Sequence, residues 1–374
     1  MKYDPYDHKG KYLDWKSKVS EKGIPEVGKE NSDLILRYLN DMEKGLNVAN
    51  RSTKGPRGFN TLNKMRQRMC YTAVKFRELY GINIVTDIDD DKLVSFFVDM
   101  KAGVISRIDG GSYRSVDTYA KIFKAFWHWW MKINRKNKIE IRDITCDLDT
   151  RQEKPDWVYL TDTEVRLLAD NAKHYYRALI YFLYDSGIRS PTELMNIKVS
   201  DFYSDYKELN IRDEISKTFG RRIKLMSSSQ IMKDYVLINK LGMDDFLFTK
   251  TPSSVNAYLK NLSKRILGDK ASPAGQKYSD LTMYDFRHCS CCYWLPRYKS
   301  ESALMYRFGW KKSDKIHYYS ELLGMKDTIT KADLEMEKPN KFEPQNKDDE
   351  KDMLKARLAL MEQQMRQLME MANR

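Results

Sequence analysis

The chain has 374 residues, of which 66 are Lys or Arg and 53 are Asp or Glu, so its formal net charge is +13. With 41% hydrophobic and 12% aromatic residues, it is predicted to fold into two domains and not to be a disordered basic tail. The excess of positive charge favours a polyanionic partner, most often a nucleic acid. No apolar run is long enough to cross a membrane and no signal-peptide core follows Met1, so we expect a cytoplasmic protein, located where its host keeps its DNA. Five cysteines, an odd number, favour reduced thiols over a disulfide framework.

The first third of the chain predicts a small helical domain. Residues 1–27 are polar and aromatic with scattered glycines, and we interpret them as a loosely ordered N-terminal arm. Residues 28–133 contain four stretches with helical periodicity, the first capped by Ser32 and the last by Ser115. Aromatic residues recur at helical spacing in the last stretch, which predicts that they pack in the domain core; they are Phe123, Phe126, Trp127, Trp129 and Trp130.

Residues 134–157 alternate in charge, have little apolar content and reach Pro155, which predicts an interdomain linker. Thr161 and Glu164 then have the spacing of a capping box that opens a helix. Further on, the strand-like runs KELNI and RRIKLM flank a turn near Gly220 and predict a β-hairpin with Lys217 in its loop. The predicted fold class is therefore α+β, mainly α with a small antiparallel β-sheet.

A first arginine stands in the string DSGIRSPTELMNIKVSDF at 185–202. Ser190 is predicted to cap a helix, with Pro191 at its first position and Glu193 completing the capping box. Arg189 would then lie beside a helix N-terminus, where the helix dipole also favours an anion.

A second group of polar residues lies between 281 and 323. Thr282 is predicted to cap a helix whose third position is Asp285, which places Tyr284, Arg287 and His288 on one face. Two shorter helices are predicted, one after Ser300 up to Gly309 and one after Ser313 up to Gly324. Trp310 then falls in the tight connection and Tyr319 on the last helix, so we expect Arg287, Trp310 and Tyr319 to lie close together.

These strings resemble four sequence boxes of the tyrosine recombinases, the integrase family of DNA strand-exchange enzymes. YDFRH at 284–288 resembles the family's H-x-x-R-H box, and GW followed by IHYYSEL resembles its nucleophile segment. Tyr319 lies nine residues after Trp310, which is the family's usual spacing. The string at 185–202 resembles the first-arginine box, and ISKTFGRRIKL at 215–225 resembles the β-hairpin that carries the family's lysine.

The resemblance implies a site-specific recombinase or integrase of a virus or mobile element. Tyr319 would attack phosphorus and form a 3′-phosphotyrosyl link without metal or ATP. Arg189 and Arg287 would hold the non-bridging oxygens, because a guanidinium offers two parallel hydrogen bonds and keeps its charge. Trp310 would donate one more bond through its indole N–H, and Lys217 would protonate the leaving 5′-oxygen. We further expect the nearby guanidinium charges to lower the pKa of Tyr319 and favour its phenolate.

The chain departs from the family pattern at two positions. Tyr284 stands where the family usually has a histidine, which titrates near neutrality; its phenol can still hydrogen-bond to a phosphate oxygen, and His288 or His317 could supply an imidazole instead. Glu193 comes four residues after Arg189, where three is usual. The alternatives left open are a relative that binds DNA without cutting it and an enzyme like a type IB topoisomerase.

No cofactor or metal is predicted. The string HCSCC at 288–292 suggests zinc, but adjacent thiols on a helix cannot all point to one ion, and no second C-x-x-C pair exists. The resemblance implies double-stranded DNA attachment sites as the partner, and a homo-multimer, most simply a tetramer, on that DNA.

The resemblance also divides the chain into a core-binding domain at 28–133 that clamps one side of the duplex and a catalytic domain at 158–340. Residues 341–374 follow with a heptad seam of apolar residues, which predicts an amphipathic helix; the seam consists of Leu354, Leu358, Met361, Met365 and Leu368. This helix is expected either to fold back on its own domain or to associate with another copy of the chain.

Overall fold

The computed structural model describes residues 3–49, 52–113, 115–152 and 156–322, together with residues 355, 358, 362 and 365. Most of the predicted C-terminal helix at 341–374 therefore lies outside the described residues. The described part contains two hydrophobic cores, one built from residues between Tyr12 and Leu148 and the other from residues between Trp157 and Tyr319. We call them the N-terminal lobe and the C-terminal lobe. Within the described residues, no helix combines the length and the apolarity needed to cross a membrane.

The N-terminal lobe is helical. Left-handed glycines end three of its helices, as expected for a residue without Cβ, at Gly45, Gly81 and Gly103. Its helices are α1 (His8–Lys22), α2 (Lys29–Lys44), α3 (Phe59–Tyr80), α4 (Asp90–Ala102) and α5 (Val116–Lys136), with a short 3₁₀ turn at Val85–Asp87.

The first helix corrects the sequence-based prediction of a loose arm over residues 1–27. α1 buries Tyr12 and Val19 in the core of the lobe, and Lys16 pairs with Glu43 of α2 at 2.5 Å. The predicted cap of α2 is also wrong, since α2 begins at Lys29 and Ser32 lies inside it. The Ser32 hydroxyl instead accepts a hydrogen bond from the backbone N–H of Ile24 at 2.8 Å, which ties α2 to the turn after α1.

The predicted linker at 134–157 is partly built into the N-terminal lobe. Its first residues complete α5, and a stretch farther along packs against that helix. The indole of Trp127 donates to the carbonyl of Arg142 at 2.9 Å, and Lys124 donates to the carbonyl of Thr145 at 2.9 Å. Leu148 is buried in the same core. Only the residues after this stretch are left to connect the lobes.

The C-terminal lobe contains a three-stranded antiparallel sheet, in the order β1 (Phe202–Tyr203), β2 (Glu208–Ile211) and β3 (Arg221–Lys224). The predicted capping box of Thr161 and Glu164 opens the first helix of the lobe. The helices are α6 (Asp162–Asp170), α7 (His174–Ser186), α8 (Ser229–Ile238), α9 (Pro252–Leu267), α10 (Met283–Trp294), α11 (Glu301–Phe308) and α12 (Asp314–Leu322). The predicted fold class, mainly α with a small antiparallel sheet, is confirmed.

The aromatic residues of α5 pack in the core of the N-terminal lobe as predicted, with Trp130 only partly buried. Trp129 is fully buried between Tyr38 and Phe126, with ring centroids 5.1 and 5.7 Å away. Its indole N–H donates to the carboxylate of Asp41 at 2.8 Å, so the ring also joins α5 to α2.

We predict that Trp129→Ala lowers the free energy of unfolding of the N-terminal lobe by about 3–5 kcal/mol, because a large buried ring leaves a cavity. Trp129→Phe should cost about 1–3 kcal/mol, because the partly buried Asp41 carboxylate loses a donor. Urea unfolding followed by circular dichroism measures both losses. Trp130→Ala, on the half-buried neighbour, is the control, and a loss as large as that of Trp129→Ala would contradict the packing described.

Candidate active site

One cleft of about 1070 Å³ in the C-terminal lobe is lined by all six site residues predicted from the sequence. They come from four places in the chain: the turn after α7, the loop between β2 and β3, helix α10, and the segment from the end of α11 into α12. The six are Arg189, Lys217, Tyr284, Arg287, Trp310 and Tyr319. The predicted grouping of these residues therefore corresponds to one concave surface.

Arg287 lies on α10, which opens with the predicted capping interaction: the backbone N–H of Thr282 donates to Asp285 at 2.8 Å. Only 4% of Arg287 is exposed. Its Nη1 donates to the carbonyl of Gly187 and its Nη2 to the carbonyl of Phe308. These carbonyls lie at the C-terminal ends of α7 and α11, where helix carbonyls lack partners and favour a cation. Burial, together with the charges of other arginines, lowers the pKa of Arg287 to about 10, which still leaves it charged at neutral pH.

Arg189 follows α7 directly and is held by two bonds. Its Nη1 pairs with Glu193 at 2.7 Å, and its Nη2 donates to the carbonyl of Gly309 at 2.6 Å. The same carbonyl accepts the hydroxyl of Thr218 at 2.8 Å, which fixes the hairpin loop to this point. The side chain of Arg189 remains 17% exposed toward the cleft.

The prediction of a helix directly after Arg189 is wrong, and so is the prediction of its capping box. The chain makes a turn followed by a 3₁₀ turn at Leu194–Asn196, and in the described structure the buried Ser190 hydroxyl has no hydrogen-bond partner. Glu193 does not complete a capping box; its carboxylate accepts the backbone N–H of Arg189 at 3.1 Å as well as that residue's guanidinium. Glu193 therefore orients Arg189, and the predicted helix N-terminus beside that arginine is not formed.

Arg221 on β3 completes this buried ion cluster, and the sequence analysis did not assign it this role. Its Nη1 and Nη2 donate to Glu193 at 3.2 and 2.8 Å, and its Nε donates to the carbonyl of Arg307 at 2.8 Å. Burial by itself would raise the pKa of Glu193, but the hydrogen bond and charge of Arg221 and the charge of Arg189 lower it to about 2. The sequence signal for this cluster is weak: Arg221 begins a strand and stands two residues before the apolar Ile223, so both side chains are on the same face of the strand, which is buried.

Tyr319 is 4% exposed and lies in an aromatic stack on α12. Its ring is parallel to that of Trp310, with centroids 5.9 Å apart, and Trp310 stacks in turn on Phe308 at 5.0 Å. Burial raises the pKa of the Tyr319 phenol well above its ordinary value, while the charge of Arg287 acts in the opposite direction. The charge of Arg287 thus favours the phenolate as expected, but burial outweighs it, so the expected lowering of the pKa of Tyr319 is wrong.

Two of the predicted residues lie at the open edge of the cleft. Tyr284 is 52% exposed, with its ring 5.0 Å from that of His288, and Lys217 is exposed in the hairpin loop. His288 also lines the cleft, whereas His317 is exposed and is absent from the described lining. An imidazole in this cleft therefore comes from His288.

The thiols of the HCSCC string are dispersed in the core. Cys289, Cys291 and Cys292 are all buried and free, and burial raises the pKa of each. Among the described residues, no three His, Cys, Asp or Glu side chains come together in a way that could hold a metal ion.

We predict that Glu193→Gln lowers the free energy of unfolding by about 3 kcal/mol at pH 7, since the carboxylate's folded-state pKa is near 2 and its ordinary value is 4.5. A carboxyl group whose pKa is lowered in the folded state stabilises the fold fully at pH values above its ordinary pKa of 4.5. This stabilisation is lost as the pH falls from there toward 2. The difference between wild type and variant should therefore shrink in the same range. Urea unfolding across pH measures this difference, and Glu208→Gln, which breaks the partly exposed pair with Arg222, should cost less than about 1 kcal/mol. Equal losses at Glu193 and Glu208 would refute the role of the buried cluster.

No family model and no curated protein matches the sequence. Solved structures do match it: the Tn1549 transposon integrase is 15% identical with a TM-score of 0.56, over 83% of this chain and 98% of that one. A lambda integrase dimer is 15% identical with a TM-score of 0.56, over 86% and 88%. The XerH site-specific recombinase is 16% identical with a TM-score of 0.51, over 86% and 96%. Both lobes of the described chain therefore have the fold of the tyrosine recombinases and integrases.

Proposed function

We propose that the protein is a site-specific tyrosine recombinase, an integrase that cuts and rejoins DNA through a 3′-phosphotyrosyl intermediate. One observation carries the proposal: two fixed guanidinium groups, a lysine and a buried tyrosine line the same cleft. This is the set of groups that phosphodiester cleavage needs when protein donors balance the charge on phosphorus.

The two arginines suit the non-bridging oxygens. A guanidinium has five N–H donors, and the bonds described for Arg189 and Arg287 use two on each. Those bonds fix both forks before any substrate binds, so little reorganisation is needed when charge develops on the phosphate. Lys217 in the exposed hairpin loop is positioned at the cleft to protonate the 5′-oxygen that leaves.

We propose double-stranded attachment sites as the substrate and a multimer as the working form. The Tn1549 integrase structure holds transposon right end DNA, the XerH structure holds a palindromic difH substrate, and lambda integrase forms a tetramer on a Holliday junction. The net charge of +13 and the exposed Lys311 and Lys312 at the cleft edge are consistent with binding a polyanion. In this proposal residues 28–133 clamp the duplex, residues 158–340 catalyse, and the C-terminal segment mediates association between copies.

The proposal is tested with a pool of duplexes that have a randomised core and one nick. Covalent protein–DNA adducts are trapped in detergent, isolated and sequenced, and the enriched duplex becomes the substrate for the variants. An adduct on a defined sequence supports the proposal. Binding of an enriched sequence without any adduct would instead indicate a relative that binds DNA and does not cut it.

We predict that Tyr319→Phe abolishes the adduct and changes DNA affinity only a few-fold, because the variant lacks only the attacking oxygen. The measurement is the amount of adduct on a denaturing gel, with EDTA present so that a trace metal cannot contribute. Tyr318→Phe, on the adjacent residue of α12, is the matched control. Loss of the adduct in Tyr318→Phe and not in Tyr319→Phe would shift the nucleophile by one residue.

We predict that Arg189→Lys and Arg287→Lys each slow cleavage by about 10²–10³-fold, because an ammonium cannot reproduce a planar fork that donates two bonds. Single-turnover cleavage of the enriched duplex gives the rates. Arg222→Lys, on the exposed face of β3, is the control and should remain close to wild type. Near-normal rates in both cleft variants would remove the two arginines from the mechanism.

A further inference from the structure

The Tyr319 hydroxyl lies within hydrogen-bond distance of the imidazole of His288, whose Nδ1 accepts the hydroxyl proton when the ring carries its own hydrogen on Nε2. The Nδ1 atom of His288 lies 2.6 Å from the Tyr319 hydroxyl oxygen. The imidazole is fixed from two further sides, by Trp157 with ring centroids 4.7 Å apart and by the edge of Tyr284 at 5.0 Å. His288 directly follows Arg287 on α10, so the helix that holds one arginine also sets the position of this ring.

The other titratable groups around Tyr319 do not suit this task. Cys291 and Cys292 act on it from α10, but burial raises the pKa of both thiols, so they hold their own protons. Arg287 has no acceptor atom, and Tyr284 is itself a phenol. The remaining charged groups that line the cleft near it are Arg189, Lys217, Lys311, Lys312 and Asp314. Of these only Asp314 is an acceptor, and it is an exposed residue at the start of α12.

A buried phenol next to a neutral imidazole can transfer its proton as it attacks, without first forming a free phenolate. Resting on the function proposed above, we propose that His288 is the catalytic base that takes the hydroxyl proton of Tyr319 during strand cleavage. As the bond from the Tyr319 oxygen to phosphorus forms, the proton moves to His288 Nδ1. The bond from phosphorus to the 5′-oxygen breaks, and Lys217 protonates that oxygen. Rejoining runs the same transfers backwards, so His288 returns the proton to the tyrosine.

The test compares variants on the enriched duplex in single turnover. His288→Asn places an amide oxygen near the position of Nδ1, so it keeps an acceptor for the hydroxyl but cannot take up a proton. We expect it to cleave about 10²-fold more slowly than wild type, with DNA affinity and melting temperature nearly unchanged. His317→Asn, on the exposed histidine of α12, is the matched control and should cleave at the wild-type rate.

The pH profile separates a base from a positioning role. Because a protonated imidazole cannot accept, the wild-type rate should fall as the pH drops through the range in which histidines titrate, and His288→Asn should lack this fall. A wild-type rate that stays flat through this range would overturn the inference even if His288→Asn failed to fold. Wild-type cleavage by His288→Asn, with the same pH profile, would overturn it as well.

A substrate with sulfur in place of the bridging 5′-oxygen separates the two proton transfers. A thiolate leaves without protonation, so this substrate should restore cleavage to Lys217→Ala and not to His288→Asn. Restoration of both variants would assign His288 to the leaving group and overturn its role at Tyr319. If wild type forms no adduct with any duplex, the proposed function itself fails, which is a different result from an active enzyme that does not need His288.

Discussion

The C-terminal lobe depends on one buried carboxylate, that of Glu193. Arg221 and Arg287 are buried in this lobe and Arg189 is partly buried beside them, and burying like charges costs several kcal/mol per ion unless each is paired. Glu193 pairs with Arg189 and Arg221, while the carbonyl ends of α7 and α11 take up Arg287. The sheet, the turn after α7 and the last helices must therefore meet at one point. Gly309 shows how close they come, because a Cβ there would lie 2.9 Å from Arg221 Nη1 and 3.1 Å from Arg189 Nη1.

In the proposed mechanism, this arrangement separates the groups that would hold a phosphate from the group that would react with it. The arginines are fixed by bonds to the backbone, so their positions do not depend on bound DNA. Tyr319 is placed differently, by stacking on Trp310 and by one hydrogen bond to His288. Its burial favours the protonated phenol, so in the proposed mechanism its attack requires an acceptor for the proton. Electrostatic stabilisation and proton transfer would then come from neighbouring positions of the same helix, Arg287 and His288.

Sequence spacing predicts a structural feature correctly where the interacting residues are close together in the chain. The pairs Thr161–Glu164 and Thr282–Asp285 were identified from spacing alone because both partners lie in one helical turn. Ser190 and Glu193 have the same spacing, but the Glu193 carboxylate binds Arg221, which comes 28 residues later. A rule based on the spacing of residues within one helical turn cannot predict a contact over that distance in the sequence. Helix α1 was missed because its few apolar residues stand among charges, and only the core into which Tyr12 packs explains it. The pKa of Tyr319 was predicted in the wrong direction for the same reason, since burial is a property of the folded lobe.

The turn that carries Arg189 is also supported from the other end of the chain. Asn196, at the close of the 3₁₀ turn, accepts the backbone N–H of Tyr3 at 2.6 Å and donates to the carbonyl of Tyr3 at 2.8 Å. The same amide group donates to the carbonyl of Thr192 at 2.8 Å, so it ties the N-terminal segment to the residue before Glu193. Arg212 donates to the Asn196 carbonyl at 2.7 Å from the hairpin side. The turn that carries Arg189 is therefore supported by the hairpin and by the segment before α1, in addition to the bonds that Arg189 itself makes to Glu193 and to the carbonyl of Gly309. Buried backbone groups need hydrogen-bond partners, and these two distant parts of the chain supply partners to the turn.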